Sequence, residues 1–313
     1  MNSIKPHIVR DGDSWMVLHH SELEDDILNF LYESWETKRG GYFPGPLPIS
    51  IERKHFPLLL ENPYAVCEKS DGTRYNLVCK IFKDAKVCCL INRALHIRIV
   101  SVNVPKVAYE GTVMDGELVN GNKFIIYDAV KFNGMSVMKN NLVQRLEIVS
   151  RFVSGIIKTK KDSLNVVTKK FYNVRDILTF QREVLPTLDY KTDGYIFTPV
   201  LEPLTIGTHE TMFKWKPKDK NTIDFQFKKR GEMWQMFIQE KGRLLYESEF
   251  KIKNTMIDIK ENSIVECKYT DVGWIPQSIR IDKVHPNNRR TYYNTLKNIQ
   301  EDIQINEFHQ LFA

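Results

Sequence analysis

The seven residues from Glu68 to Arg74 carry the group best suited to covalent chemistry. They read Glu-Lys-Ser-Asp-Gly-Thr-Arg, so Lys69 stands two residues before an Asp-Gly turn. A lysine attacks phosphorus only as the neutral amine, so burial or neighbouring cations must favour the unprotonated form. A strand that ends with Lys69 just before a turn projects this amine into a cleft on a stiff base. Alone, a Lys-x-Asp-Gly pattern is more often a solvated turn.

Two further turns and one strand place charged groups that suit a bound nucleotide. Met-Asp-Gly-Glu at 114–117 and Thr-Asp-Gly at 192–194 put carboxylates where strands meet turns. Magnesium takes oxygen ligands, usually one or two carboxylates together with substrate phosphates. The segment Phe-Lys-Trp-Lys at 213–216 is interpreted as a strand whose lysines share one face and could hold an α-phosphate. Taken singly, an exposed Lys-x-Lys pair more often consists of solvated surface residues than of binding-site residues.

Short β-type runs must position these groups in the first two thirds of the chain. Valine, isoleucine, cysteine and aromatic residues are concentrated in runs that turns such as Asp71-Gly72 separate. Helices are predicted at 21–38, which begins with acidic residues after Ser21, and within the basic stretch 141–185. The predicted strands are 65–68, 75–82, 86–92, 111–119, 123–130, 165–172, 194–199 and 212–215.

The sequence changes character near residue 225. Beyond it, short predicted strands recur at 234–239, 243–248, 263–269 and 278–281, a spacing typical of a small β-barrel. Apolar residues at helical spacing within 288–312 predict a closing helix. The sequence therefore predicts an α+β fold with two domains, residues 1–225 and residues 226–313.

The composition indicates a soluble, intracellular, globular protein. Of its 313 residues, 42% are hydrophobic and 27% are charged, which excludes a disordered chain. The five cysteines are odd in number and lack a Cys-x-x-Cys spacing, which argues against a disulfide framework or a zinc site. No signal peptide is evident, and no stretch approaches the ~20 apolar residues of a membrane helix. The net charge of +6 favours a polyanionic partner.

Taken in order, these motifs resemble those of the covalent nucleotidyltransferase superfamily of capping enzymes and polynucleotide ligases. Within it, the chain is most similar to mRNA guanylyltransferases, particularly those of large DNA viruses of the Chlorella virus kind. The resemblance extends from Pro-Gly-Pro at 44–46 and Ser-Ile-Glu-Arg-Lys at 50–54 to Thr-Leu-Lys-Asn-Ile at 295–299. It implies a nucleotidyltransferase domain of antiparallel sheets with flanking helices, followed by an OB-fold barrel domain.

The resemblance implies a role for each residue that matches a motif. Lys69 would form a covalent lysyl-N–GMP intermediate from GTP and pass the GMP to the 5′-diphosphate end of RNA, which makes a GpppN cap. Tyr127 would stack on guanine, and Lys169 would donate a hydrogen bond to guanine O6. The other residues implied to bind GTP or GMP are Arg74, Arg93, Glu117, Lys214, Lys216, Arg280 and Lys283.

The resemblance also implies a divalent cation, Mg²⁺ or Mn²⁺, near the carboxylates of Asp193 and Glu117, with Asp224 in the same network. The last motif runs from Arg280 through Asp282 to Lys283 and would orient the leaving pyrophosphate. Neither an RNA triphosphatase nor a cap methyltransferase is expected in this chain. Those activities are expected on other chains or domains, and the sequence does not distinguish a viral factory, a virion or a nucleus.

Two other interpretations remain open at this point. An ATP-dependent polynucleotide ligase shares the Lys-x-Asp-Gly motif and the lysine pair, although Lys-Trp-Lys-Pro, Thr-Ile-Asp-Phe and Arg-x-Asp-Lys are more typical of capping enzymes. A non-catalytic RNA-binding relative would keep a basic barrel for single strands and lose the reaction. The intact Lys69, Glu117 and Asp193 argue against that second alternative. Labelling with GTP against ATP would separate these classes.

Overall fold

The computed structural model describes residues 3–251, 257–281 and 283–312, without the side chains of residues 250 and 251. The chain forms two compact units, Met1–Ile49 with Leu58–Lys214 and Ser50–Pro57 with Trp215–Ala313. Both units contain antiparallel sheets and helices, which confirms the predicted α+β class. The domain boundary expected near residue 225 stays a prediction. No helix in these ranges is long and apolar enough to cross a lipid bilayer.

Residues 3–215 contain fourteen strands and four α-helices. The helices are α1 (Glu22–Ser34), α2 (Phe56–Glu61), α3 (Leu142–Ser154) and α4 (Ile177–Thr179). The strands are β1 (Ile8–Asp11), β2 (Ser14–Val17), β3 (Pro46–Ser50), β4 (Tyr64–Ser70), β5 (Thr73–Phe82), β6 (Ala85–Asn92), β7 (Ile97–Ile99), β8 (Thr112–Val119), β9 (Lys123–Phe132), β10 (Met135–Ser136), β11 (Asn165–Thr168), β12 (Tyr172–Asn173), β13 (Thr192–Pro199) and β14 (Gly207–Trp215).

These strands form two sheets in the first unit. The larger has nine strands in the order β1-β2-β7-β6-β5-β8-β9-β10, and β11 pairs with β9. The pairing of β11 with β9 is parallel. The smaller sheet has five strands in the order β12-β4-β13-β14-β3. The groups predicted to do chemistry are therefore divided between two sheets, with Lys69 on the smaller one and Arg74 on the larger one.

Alternating side chains give the larger sheet two apolar faces. On β5, Val78 packs in one cluster with Leu31 of α1, whereas Leu77 packs in another with Val149 of α3. Successive strand residues point to opposite faces, so each face meets its own helix. Burial on both faces explains why the strand runs are nearly continuously apolar and were readily predicted. This packing makes the sheet a stiff support for the side chains at its strand ends.

The first two long helices begin where capping residues predict. Ser21 Oγ accepts a hydrogen bond from the backbone N–H of Glu24 at 3.1 Å and so starts α1. Asn141 and Gln144 form a reciprocal capping box at the start of α3. The helix predicted over 21–38 is therefore confirmed, although it ends at Ser34.

The described residues from Trp215 onward form a five-stranded antiparallel sheet and two α-helices. The elements are β15 (Thr222–Arg230), β16 (Met233–Glu240), β17 (Arg243–Lys251), β18 (Ile264–Thr270), β19 (Gly273–Ile279), α5 (Arg289–Glu301) and α6 (Ile305–Leu311). The strand order is β17-β16-β15-β18-β19. Tyr292 and Ile299 of α5 join the apolar cluster of this sheet. The predicted closing helix is thus two helices, because Asp302 adopts a left-handed conformation with φ of 45°.

A buried histidine in the first unit makes its stability sensitive to pH. His209 on β14 is 5% exposed, and its Nδ1 lies 3.2 Å from Thr211 Oγ1. Burial lowers the pKa of His209, and the charge of Glu202 only partly offsets this. An unfolded histidine has a pKa of about 6.5 and so binds protons more readily than the folded one. The contribution to stability is present above that pH and is lost as pH falls below it.

We therefore expect the melting temperature to fall between pH 7.5 and pH 5.5, and to fall less in His209→Gln. The comparison is a pair of thermal melts of each protein at the two pH values. An equal shift in wild type and variant would contradict the assignment of this pH dependence to His209.

Candidate active site

Lys69 lies at the end of strand β4, one residue before the strand stops. Strand β13 runs antiparallel to β4, with Thr192 opposite Ser70 and a register shift before Tyr195. This irregularity lies at Asp193, whose Oδ1 is 2.9 Å from Lys69 Nζ. The Lys69 side chain is 25% exposed, so the amine is partly buried yet accessible. The lysine of the Lys-x-Asp-Gly motif and the aspartate of the second Asp-Gly motif thus form a direct ion pair.

The turn after Lys69 brings a second carboxylate to the amine. The backbone N–H of Gly72 donates to Glu117 Oε1 at 3.2 Å, and the β5–β8 register places Arg74 opposite Glu117. A Cβ at Gly72 would lie 2.5 Å from the carbonyl oxygen of Leu118, so this close approach requires glycine. Burial raises the pKa of Glu117, and the nearby charge of Lys69 partly offsets that effect. Glu117 is therefore a partly desolvated carboxylate beside the amine.

Asp115 connects two of the predicted nucleotide-binding residues. Arg74 donates from Nε to Asp115 Oδ1 at 3.0 Å and from Nη2 to Oδ2 at 2.5 Å. Tyr127 donates its hydroxyl to the same Oδ1 at 2.9 Å. Burial lowers the pKa of Arg74, but the charge of Asp115, the hydrogen bonds to it and the nearby Tyr127 and Glu117 together outweigh burial, so the pKa is raised. Sequence reasoning gave Asp115 no role, although it stands two residues before Glu117 in the same motif.

Lys169 enters the site from the segment that links the two sheets. It follows β11, and its backbone N–H donates to the carbonyl oxygen of Ile126 at 2.7 Å. Its Nζ pairs with Glu68 Oε1 at 2.7 Å and with Ser70 Oγ at 2.5 Å. Tyr190 donates its hydroxyl to Glu68 Oε1 at 2.5 Å. Glu68 could have been suspected from its place next to Lys69, whereas no sequence signal marks Tyr190.

A cavity between the two sheets of the first unit collects six of the thirteen predicted site residues. Strands β5, β8 and β9 of the larger sheet line one side, and strands β3, β4, β13 and β14 of the smaller sheet line the other. Asp193 reaches this site through its pair with Lys69. The predicted residues in the cavity wall are Lys69, Arg74, Arg93, Glu117, Tyr127 and Lys169.

The remaining predicted residues have different positions. Lys214 on β14 lies two residues after Met212, which lines the cavity, so the two residues share one face of the strand. Lys216 follows that strand and belongs to the second unit. Their roles in phosphate binding stay predictions.

Three further predicted residues also belong to the second unit. There, Asp224 accepts hydrogen bonds from Arg280 Nη1 at 3.1 and 3.2 Å and forms an ion pair with Lys283. Asp282 lies outside the described residues. The roles of these residues in the reaction stay predictions.

The carboxylates beside Lys69 suit a hard divalent cation that substrate also ligates. Within residues 3–251, 257–281 and 283–312, no group of three or more His, Cys, Asp or Glu side chains is arranged to hold a metal ion. Magnesium usually binds one or two carboxylates and completes its shell with waters and substrate phosphates. Glu117 and Asp193, which interact electrostatically with each other, fit that requirement.

Two protein families match the chain. The family described as mRNA capping enzyme, catalytic domain, matches residues 16–218. The family described as mRNA capping enzyme, C-terminal domain, matches residues 187–309. Together they span the two units and include the cavity residues.

Individual proteins of similar sequence are also named as mRNA-capping enzymes. The mRNA-capping enzyme of Mus musculus is 28% identical over 293 residues, a match that covers 83% of this chain and 47% of that protein. The mRNA-capping enzyme subunit alpha of Schizosaccharomyces pombe is 29% identical over 317 residues, covering 83% of this chain and 77% of that protein. The chain thus spans about half the length of the mouse relative.

A solved structure, mycobacterial DNA ligase D complexed with ATP and MES, is 13% identical with a TM-score of 0.43, covering 76% of this chain and 95% of that chain. That likeness is too low to bear on function. The expected closeness to enzymes of large DNA viruses stays a prediction. Because the catalytic-domain family matches well over half of its residues, the chain belongs to the mRNA capping enzyme family.

Proposed function

We propose that this protein is an mRNA guanylyltransferase that transfers GMP from GTP to the 5′-diphosphate end of RNA through a covalent lysyl-N–GMP intermediate. The observation that carries the proposal is the environment of Lys69. Its amine is paired with Asp193 at 2.9 Å in a cavity that also holds Arg74, Glu117 and Lys169. A partly buried lysine among cations and carboxylates suits attack on a polyanion.

In the first step the Lys69 amine attacks the α-phosphorus of GTP. The new nitrogen–phosphorus bond forms as the bond from the α-phosphorus to the bridging oxygen breaks, and pyrophosphate leaves. Asp193 Oδ1, 2.9 Å from the amine, is within reach of the proton that the nitrogen must lose. Cationic side chains in the wall stabilise the negative charge on the α-phosphate oxygens. Lys214, and Lys216 in the second unit, are the proposed α-phosphate contacts.

A divalent cation, Mg²⁺ or Mn²⁺, would be held by Glu117 and Asp193 and would supply positive charge beside the α-phosphate. Glu117 also anchors the backbone N–H of Gly72 in the turn after Lys69. The turn therefore keeps the amine and the carboxylate in a fixed relation while substrate binds.

In the second step the terminal phosphate of a 5′-diphosphate RNA attacks the phosphorus of the adduct. The nitrogen–phosphorus bond breaks, Lys69 regains a proton, and a GpppN end is released. Since the acceptor is a diphosphate, an RNA triphosphatase must prepare it. That activity and cap methylation are proposed to come from other chains or domains, inside the cell where the RNA is made.

The proposal is tested by labelling the protein with [α-³²P]GTP or [α-³²P]ATP and a divalent cation, followed by a denaturing gel. We expect a labelled protein band with GTP and at least about tenfold less with ATP. Added 5′-diphosphate RNA should then remove the label into a capped product, whereas 5′-monophosphate RNA should not. A band with ATP alone would identify a ligase. RNA binding with no band from either nucleotide would identify a non-catalytic relative.

A further inference from the structure

A buried polar cluster beside Lys69 holds the ammonium group of Lys169. Its members Glu68, Ser70 and Lys169 are 2%, 1% and 5% exposed, and all three line the cavity. A buried ion pair is stable only if its remaining donors and acceptors are satisfied. A cluster of this kind in the wall of a binding cavity therefore selects a ligand that completes it.

The hydrogen bonds of Lys169 leave one donor for such a ligand. An ammonium group has three N–H donors and cannot accept. Within the described part of the chain, Glu68 takes one donor at 2.7 Å and Ser70 takes another at 2.5 Å. The third donor is left for an acceptor in the cavity. A hydrogen bond from a charged donor to a carbonyl oxygen is stronger than a hydrogen bond between two neutral groups.

Tyr190 holds Glu68, the carboxylate that pairs with Lys169, in place. Its hydroxyl donates to Glu68 Oε1 at 2.5 Å, and the Lys169 ammonium lies 5.8 Å from the centre of its ring. Burial raises the pKa of Tyr190, and the hydrogen bond to Glu68 adds to the effect. The phenol therefore remains a donor at neutral pH, which leaves Glu68 as the acceptor for Lys169.

We propose that Glu68 and Tyr190 are positioning residues that set the choice of purine by holding Lys169 as a charged donor aimed into the cavity. This inference rests on the proposed function and deepens it. A purine with a carbonyl group at position 6 completes the cluster. A purine with an amino group there presents a second donor to the ammonium and is disfavoured. A purine with only hydrogen there leaves a buried N–H group without a partner.

The test compares adduct formation from GTP with that from 2-aminopurine riboside triphosphate, which has hydrogen in place of the 6-carbonyl oxygen and therefore also lacks the hydrogen on N1. We expect the wild type to favour GTP by about a hundredfold or more in kcat/KM. Glu68→Gln should reduce this ratio by about tenfold, and Tyr190→Phe should reduce it by a smaller factor. Both substrates present the same phosphates to Lys69. The ratio therefore cancels any general effect on the nucleophile.

A matched control is Asp26→Asn. Asp26 pairs with Lys80 at 2.5 Å, and neither residue lines the cavity, so the ratio should not change. If Glu68→Gln lowered kcat/KM by the same factor for both substrates, so that the ratio did not change, the inference would be overturned. If melting curves show that Glu68→Gln does not fold, Tyr190→Phe decides in the same way because it keeps the ring.

The two proposals can fail separately. If the wild-type protein forms no adduct with GTP, the proposed function fails. If the wild type forms the adduct but the folded variants favour GTP over 2-aminopurine riboside triphosphate as strongly as the wild type does, only the role of Glu68 and Tyr190 fails.

Discussion

Replacing Lys69 with alanine is expected to lower the rate of adduct formation from GTP by about 10⁴-fold or more, to the limit of detection. The reason is that the amine itself forms the bond to phosphorus, so no neighbouring group can replace it. Lys69→Arg should be equally inactive, because a guanidinium group keeps its proton at neutral pH. The measurement is the labelled band on a denaturing gel, with mass spectrometry to locate the added GMP.

Lys80→Ala is the matched control for this experiment. Lys80 is also a strand lysine in a short ion pair, with Asp26 at 2.5 Å, but it does not line the cavity. This variant should form the adduct at close to the wild-type rate. A labelled band that persists in Lys69→Ala would show that the nucleophile is another residue.

Replacing Asp115 with alanine is expected to have the largest effect on stability of the substitutions considered. Asp115 is fully buried and accepts hydrogen bonds from both Arg74 and Tyr127. Its removal leaves the buried Arg74 charge without the carboxylate that accepts its hydrogen bonds, which costs about 3–5 kcal/mol. Asp115→Asn keeps one acceptor and should cost less. The measurement is the free energy of unfolding from urea titration, and GTP binding should weaken in parallel because Arg74 and Tyr127 line the cavity.

Asp25→Ala is the corresponding surface control. Asp25 pairs with Arg39 at 2.8 Å, but the two side chains are 59% and 40% exposed. An exposed pair of this kind contributes about 1 kcal/mol or less. If Asp115→Ala cost no more than Asp25→Ala, the Arg74 network would not be the support of the cavity that its burial indicates.

The sequence was sufficient for most of the strands that carry the site, although β3, which lines the cavity, was not predicted. The runs predicted at 75–82, 86–92 and 123–130 correspond to strands β5, β6 and β9, within three residues at each end. These strands are buried on both faces, so composition and turn residues mark them clearly. By contrast, strands β1 and β2, in which Val17 is the one buried residue, were not predicted. The tail helix was predicted as one element because nothing in its apolar spacing marks the left-handed residue Asp302.

By itself, the sequence determined which residue types could act and in what order, since Lys69, Glu117 and Asp193 each stand in a short Asp-Gly motif whose chemistry is local. Only the tertiary structure decided their partners. Glu68 and Tyr190 are 122 positions apart and Arg74 and Asp115 are 41 apart. Such pairs depend on strand register and on the packing of two sheets, which bring together residues that no local pattern relates.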